Sequence, residues 1–210
     1  MSLPPVILAS ASPRRVELLR ELCAEFQVIP AQAPEFHPEH LTPHESVQLN
    51  AYRKARVVAK KFPDALVIGA DTEVCLGRDI FGKPADLADA ERMLGRLQGR
   101  THQVVTGVCL LHLRGHRQKL FSVSTAVTFH SLHARQIRRY LARIHPLDKA
   151  GAYAIQEQGD DIVKKISGSY SNVVGLPLER LRQELERWSD TTGPEQPTTF
   201  SNSRGGLTDS

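Results

Sequence analysis

Ala65-Leu66-Val67-Ile68-Gly69-Ala70-Asp71-Thr72 is an apolar run that ends on a carboxylate. Phe62 and Pro63 bound it upstream, and its length suits a buried strand, predicted over residues 65–70 with Asp71 just where the strand ends. A carboxylate at the carboxyl end of a buried strand is where α/β proteins commonly place catalytic or metal-binding groups. An Asp that merely caps a turn would stand in the same place.

The flanking segments alternate in type. Upstream, Thr42, Pro43 and Glu45 form a capping-box pattern that opens a helix over residues 42–61. Within it Ala51 and Ala55 lie near Lys54, and such small side chains would let that face approach the sheet and carry the lysine toward a cleft. A lone helix lysine is otherwise a solvated one. Nearer the start, residues 6–10 read as a strand and Ser12-Pro13 as a helix start with an oxygen-bearing cap, with Val16, Leu19, Leu22 and Cys23 on one face. A second strand is expected over residues 26–29, then a proline- and histidine-rich loop over 30–41. Downstream come a hairpin (74–76 with 80–81), a helix over 86–97 closed by Gly99, and long strands over 102–113 and 119–129. A helix over 133–144, a strand over 161–166 and an amphipathic helix over 177–188 complete the pattern. Alternating elements with several antiparallel pairs predict an α/β fold with a mixed twisted sheet flanked by helices, rather than a regular doubly wound sheet. Two lobes about a central cleft are a further expectation.

The chain of 210 residues, 40% hydrophobic and 24% charged, fits one domain over residues 1–188. From residue 189 onward Thr, Ser, Gly, Pro and Glu dominate, and residues 189–210 are expected to form a disordered tail. No apolar stretch has the length of a membrane span, and the first residues lack a secretion signal, so a cytoplasmic protein is expected. Cys23, Cys75 and Cys109 are too few and too widely spaced for a disulfide framework or a Cys₄ zinc site, and read as reduced, mostly buried thiols. A net charge of +4 suits an anionic ligand and equally nonspecific nucleic-acid contact. The basic residues are interspersed with acids, so a solvated surface is expected and no stable nucleic-acid partner.

Several groups could carry chemistry. In Ser10-Ala11-Ser12-Pro13-Arg14-Arg15, hydroxyls, guanidinium groups and a helix N-terminus together would cradle a phosphate, although a capped helix with surface arginines reads the same. Gly77 to Lys83 has the glycine and lysine spacing of a P-loop, but Pro84 replaces the magnesium-binding hydroxyl and the segment follows a hairpin. A Walker loop is therefore rejected, with Lys83 kept as a point charge for a phosphate or else an ordinary surface lysine. His37, His40 and His44 lack rigid ligand spacing, and no zinc site is expected from them. Asp148-Lys149-Ala150-Gly151-Ala152-Tyr153-Ala154-Ile155-Gln156 reads as a loop running into a strand, whose aromatic ring and amide would satisfy a nucleobase; so would a plain turn.

The order of these motifs is more specific than any one of them. Leu8-Ala9-Ser10-x-Ser12-Pro13-Arg14-Arg15, Lys54, Gly69-Ala70-Asp71-Thr72, Gly82-Lys83-Pro84, Asp148 to Tyr153 and Val174-Gly175-Leu176-Pro177 together resemble the Maf family of nucleoside triphosphate pyrophosphatases, over residues 5 to 188. The resemblance implies an inosine-triphosphatase-like fold, a divalent metal cofactor (Mg or Mn), a homodimer, and hydrolysis of a nucleoside triphosphate to its monophosphate and pyrophosphate. It implies that Asp71 accepts the proton of the attacking water, that Ser10, Arg14, Arg15, Lys54 and Lys83 surround the phosphates, to which the reading of the helix start adds Ser12, and that Glu35 with Asp71 holds the metal. Arg14, Thr72 and Gln156 would mark the branch acting on dTTP and UTP, because the branch acting on 7-methyl-GTP usually has Trp in place of Arg14. Two positions depart from the family pattern: Pro34-Glu35 stands where Asp-Glu is common, and Ala154 where Gly is usual. The chemistry is coherent on its own terms, since a metal with Arg and Lys would neutralise charge developing on a leaving pyrophosphate. Two competing readings are a non-catalytic nucleotide- or DNA-binding regulator of cell division and a phosphatase of sugar phosphates or mononucleotides. Product identity separates all three.

Overall fold

In the computed structural model, which describes residues 3–36 and 40–190, the strand containing Asp71 does not end there. It runs from Leu66 to Leu76 as β3 (Leu66–Leu76). On one edge it pairs antiparallel with β5 (Thr101–His112), from Val67 opposite Leu111 to Cys75 opposite Gln103, so Asp71 lies opposite Gly107 in mid-ladder. On the other edge it pairs in parallel with β1 (Val6–Leu8), but only at Leu66, Val67 and Ile68. The chain then leaves the sheet for α1 (Pro13–Arg20). That edge is covered again from Val74 by β4 (Asp79–Phe81), the other arm of the expected hairpin. The polarity that begins at Asp71 thus marks the loss of one neighbour, not the end of the strand. Between Ile68 and Val74 one edge of β3 is open, and this gap becomes a cleft.

The sheet has seven strands in the order β2-β1-β3-β5-β6-β7, with β4 attached to β3. β2 (Gln27–Val28) lies parallel to β1, whereas β6 (Arg117–Phe129) and β7 (Val163–Ser167) continue the antiparallel side. The expected mixed sheet is therefore found. Helices cover both faces because β3 alternates. Leu66, Ile68 and Ala70 pack with Leu18 and Leu19 of α1 and with Leu181, Leu185 and Trp188 of α6 (Leu178–Asp190). Val67 points the other way, toward Ala51, Ala55 and Val58 of α2 (Pro43–Ala59). Further along, Val74 and Val104 belong to a second core with α3 (Leu87–Leu97) and α4 (Ala134–Leu141). Two apolar lobes thus sit side by side on the sheet, with Ile155 packed against both.

α2 starts as its sequence dictates: the Thr42 hydroxyl accepts from Glu45 N at 3.3 Å, and the Glu45 carboxylate accepts from Thr42 N at 2.8 Å. The helix then lies almost on the strands. A Cβ at Gly69 would stand 2.2 Å from the Ala51 carbonyl oxygen, and one at Gly107 would stand 2.5 Å from the Val47 carbonyl. Only glycine permits that approach.

Residues 153–156 do not form the expected strand. The Tyr140 hydroxyl accepts from Ala154 N and donates to Ala154 O, each at 3.1 Å, taking both groups that a ladder would need. Short 3₁₀ turns at Pro146–Asp148 and Ala150–Ala152 precede them. α5 (Tyr170–Val174) is too short to carry an apolar periodicity that its sequence would reveal. Cys23, Cys75 and Cys109 are free and buried, as expected. The tail assigned to residues 189–210 lies outside the described residues from 191 onward, as does His37. Among the described residues, no three His, Cys, Asp or Glu side chains are grouped to hold a metal ion.

Candidate active site

The open edge of β3 forms the floor of a cleft lined on one side by Ser10, Ser12, Arg14 and Arg15 and on the other by Lys149, Tyr153 and Gln156. Asp71 follows Gly69 on the α2 side of the strand, and only 3% of it is exposed. Because α2 lies so close, Lys54 reaches the carboxylate directly: its ammonium donates to Asp71 Oδ1 at 2.6 Å. The same ammonium donates to Glu35 Oε1 at 3.1 Å, and Lys83 reaches that oxygen at 3.4 Å. Burial by itself would raise the Glu35 carboxyl, but Lys54 and Lys83 outweigh it and hold it below the usual range. Asp71 Oδ2 is buried without a hydrogen-bond partner among the described residues. An unpartnered carboxylate oxygen in a buried site calls for a proton donor or a cation.

The opposite face of β3 presents Thr72. Here Arg15 fills the gap left by β1. Its Nε donates to Gly175 O at 2.7 Å, Nη1 to Ala70 O at 3.1 Å and Ser10 Oγ at 3.5 Å, and Nη2 to Thr72 Oγ1 at 2.8 Å. Four of the five guanidinium donors are thus directed at protein acceptors. Ser12 stands at the N-cap position of α1, but its hydroxyl caps nothing; its N–H donates instead to Ser10 Oγ at 3.2 Å. Arg14 points across the cleft, with Nη1 3.3 Å from Asp148 Oδ2. Asp148 also pairs with Lys149 at 2.8 Å, and the buried Lys149 ammonium donates to His145 O at 2.6 Å. Burial would raise Asp148, yet Lys149 and Arg14 keep it below its ordinary value.

On the far wall Tyr153 is buried, its hydroxyl 2.8 Å from His102 Nε2, and both rings pack edge-on against Phe129. Gln156 is exposed at the rim.

The sequence profile of the family described as Maf-like protein matches residues 5–188. This chain belongs to the Maf family. A protein of Pelotomaculum thermopropionicum is 45% identical over 183 residues, which are 87% of this chain and 96% of that one. One of Symbiobacterium thermophilum is 47% identical over 87% of this chain and 93% of its own length, and one of Moorella thermoacetica is 48% identical over 86% and 93%. Each of the three bears the name dTTP/UTP pyrophosphatase. Among solved structures, the Staphylococcus aureus Ham1 protein matches with a TM-score of 0.47 at 18% identity, over 88% of this chain and 99% of that one, a likeness too distant to bear on the site.

In this Maf chain Ser10, Ser12, Arg14, Arg15, Glu35, Lys54, Asp71, Thr72, Lys83 and Gln156 all line one cleft. They divide between the two faces of β3, with Lys54, Glu35 and Lys83 around Asp71, and Arg15 and Ser10 around Thr72. Glu73 also lines the cleft and was missed; it is buried and accepts from Ser46 Oγ at 2.6 Å. Its position two residues after Asp71, hence on the same side of a strand, was the available signal. Lys149 is buried as well, which its place in a loop motif does not reveal.

Proposed function

We propose that this cleft hydrolyses dTTP and UTP to the nucleoside monophosphate and pyrophosphate. The observation that carries the reading is the Lys54 ammonium held between Asp71 at 2.6 Å and Glu35 at 3.1 Å, with Asp71 Oδ2 unpartnered among the described residues at the open edge of β3. The names of relatives 45–48% identical over most of their length support the substrate assignment.

Asp71 Oδ2 and the Glu35 carboxylate are hard oxygen donors linked by one ammonium, which fits a divalent cation such as Mg or Mn. That cation characteristically takes one or two protein carboxylates and completes its shell with phosphates and water, so the lack of a third ligand among the described residues does not count against it. When bound, it would supply neutralising charge at the phosphates. The protein's own groups do the rest. Lys54 fixes the Asp71 carboxylate through Oδ1, so that of the two lone pairs on Oδ2 one would face the cation and the other orients a water and takes its proton. The water oxygen bonds to the α-phosphorus, the bond to the bridging oxygen breaks, and pyrophosphate leaves. Lys83 and Arg14 face the cleft as cations for the departing charge. Arg15, with most donors engaged, contributes its charge and holds the wall. Gln156, at the rim, can pair with a pyrimidine edge.

Among the described residues no helix is long and apolar enough to cross a membrane. The reading places the enzyme in the cytoplasm as a homodimer without a stable nucleic-acid partner, limiting incorporation of wrong nucleotides. Purified protein incubated with a panel of triphosphates and Mg or Mn tests it. Equimolar monophosphate and pyrophosphate from dTTP and UTP, abolished by a chelator, is the expected outcome. Orthophosphate as the product would favour a phosphatase, and no turnover the regulatory reading.

A further inference from the structure

The Thr72 hydroxyl belongs to a chain of hydrogen bonds whose direction is fixed at its far end. Thr106, on the neighbouring strand β5, is fully buried, and its hydroxyl oxygen lies 3.0 Å from the main-chain oxygen of Asn172. A carbonyl has no proton to give, so the Thr106 hydroxyl must donate there. Thr106 Oγ1 also lies 3.0 Å from Thr72 Oγ1. Its only proton is already committed, so Thr72 is the donor in that contact. The acceptor end is held firmly: Asn172 is fully buried, and its side-chain amide donates to Val104 O and Thr125 Oγ1, both at 3.0 Å. Gly175 N donates to the same Asn172 carbonyl at 3.1 Å.

Thr72 has one proton and two lone pairs. The proton goes to Thr106, and one lone pair accepts from Arg15 Nη2 at 2.8 Å. What Thr72 can offer the cleft is therefore a single lone pair. We propose that the base seats against Thr72 and that Thr106 is a positioning residue that locks the Thr72 hydroxyl as a hydrogen-bond acceptor toward it, so that the site favours a pyrimidine carrying a ring N–H over one that lacks it. Uracil and thymine carry that N–H between their two carbonyls. Cytosine presents a bare ring nitrogen at the same place, and two lone pairs would then face each other at the half-buried Thr72. The discrimination comes from a buried side chain that lines no part of the cleft itself. It deepens the dTTP/UTP reading and rests on it.

The test compares kcat/KM for UTP and CTP, by pyrophosphate release, in the wild type, Thr106→Val and Thr106→Ser. Valine keeps the shape and removes the acceptor that holds the Thr72 proton, which can then turn toward the cleft and serve cytosine. The wild type should prefer UTP by at least about tenfold, the size expected of one hydrogen bond made by the right base alone. Thr106→Val should narrow that ratio to about threefold or less, mainly through improved use of CTP, while Thr106→Ser keeps the wild-type ratio. A general packing defect would lower both substrates together and leave the ratio intact. An unchanged ratio in an active Thr106→Val enzyme, or a wild type indifferent to the two bases, overturns the proposal and leaves the pyrophosphatase reading standing. A wild type that releases no pyrophosphate from either substrate defeats that reading, and the proposal with it.

Discussion

Gly69→Ala tests whether the contact between α2 and the sheet sets the chemistry. The added methyl would sit 2.2 Å from the Ala51 carbonyl oxygen, 2.8 Å from Ala55 N and 3.0 Å from Ala55 Cβ, and real Cβ contacts under 3.0 Å essentially never occur. Two of the three atoms are backbone, so no side chain can rotate away and the helix itself must retreat by about 1 Å. Lys54 travels with it. A rigid retreat of that size would open its 2.6 Å contact with Asp71 beyond hydrogen-bonding distance unless the side chain stretches after it. Overpacking of this kind costs about 1–3 kcal/mol of stability, offset by less than about 1 kcal/mol from the stiffer unfolded chain. Misplacing a reacting group by about 1 Å can cost roughly 100-fold in rate. Urea unfolding combined with kcat/KM for UTP should therefore show a folded, weakened protein whose activity has dropped by at least about tenfold. A folded Gly69→Ala protein within about threefold of wild-type activity would refute the idea that glycine at this position places Lys54.

Asp71→Asn should abolish pyrophosphate release while circular dichroism and unfolding cooperativity stay native; near-normal turnover would mean that Asp71 neither takes the proton nor holds the cation. Gln156→Ala should lower kcat/KM for UTP by about 5–100-fold more than for a purine triphosphate, whereas Lys54→Ala should weaken all triphosphates alike because phosphates are common to them. Equal losses across bases for Gln156→Ala would remove its role in reading the base. Burial pushes His102 from 6.5 down to about 4, so across that window the unfolded chain binds a proton that the folded chain refuses. Stability should accordingly fall as the pH drops through this range, by up to about 3 kcal/mol once the pH is below both values. Urea unfolding of wild type and His102→Gln across that range checks it, and parallel stability profiles for the two proteins would contradict it.

Much of the fold was legible because its signals are local. The Thr42–Glu45 capping box, the Pro13 start of α1 and the paired long strands all form where their residue patterns place them. The approach of α2 was also readable, from Ala51 and Ala55, although the matching demand for Gly69 and Gly107 appears only in three dimensions. What sequence could not show depends on neighbours distant in the chain. Asp71 reads as a strand end, yet β3 continues because β5 stays paired with it after β1 has departed. Arg15 reads as a phosphate ligand, but its partners Ala70, Thr72 and Gly175 are 55, 57 and 160 residues away. The Ala154 backbone is withdrawn from any ladder by a Tyr140 hydroxyl that no strand pattern reveals.

Hydrolysis of UTP in water enriched in heavy oxygen, with both products analysed by mass, tests the central claim most directly. Attack by a water that Asp71 orients onto the α-phosphorus puts the heavy oxygen in UMP and none in pyrophosphate. Heavy oxygen in pyrophosphate, or release of labelled orthophosphate with UDP, would contradict the account of this cleft.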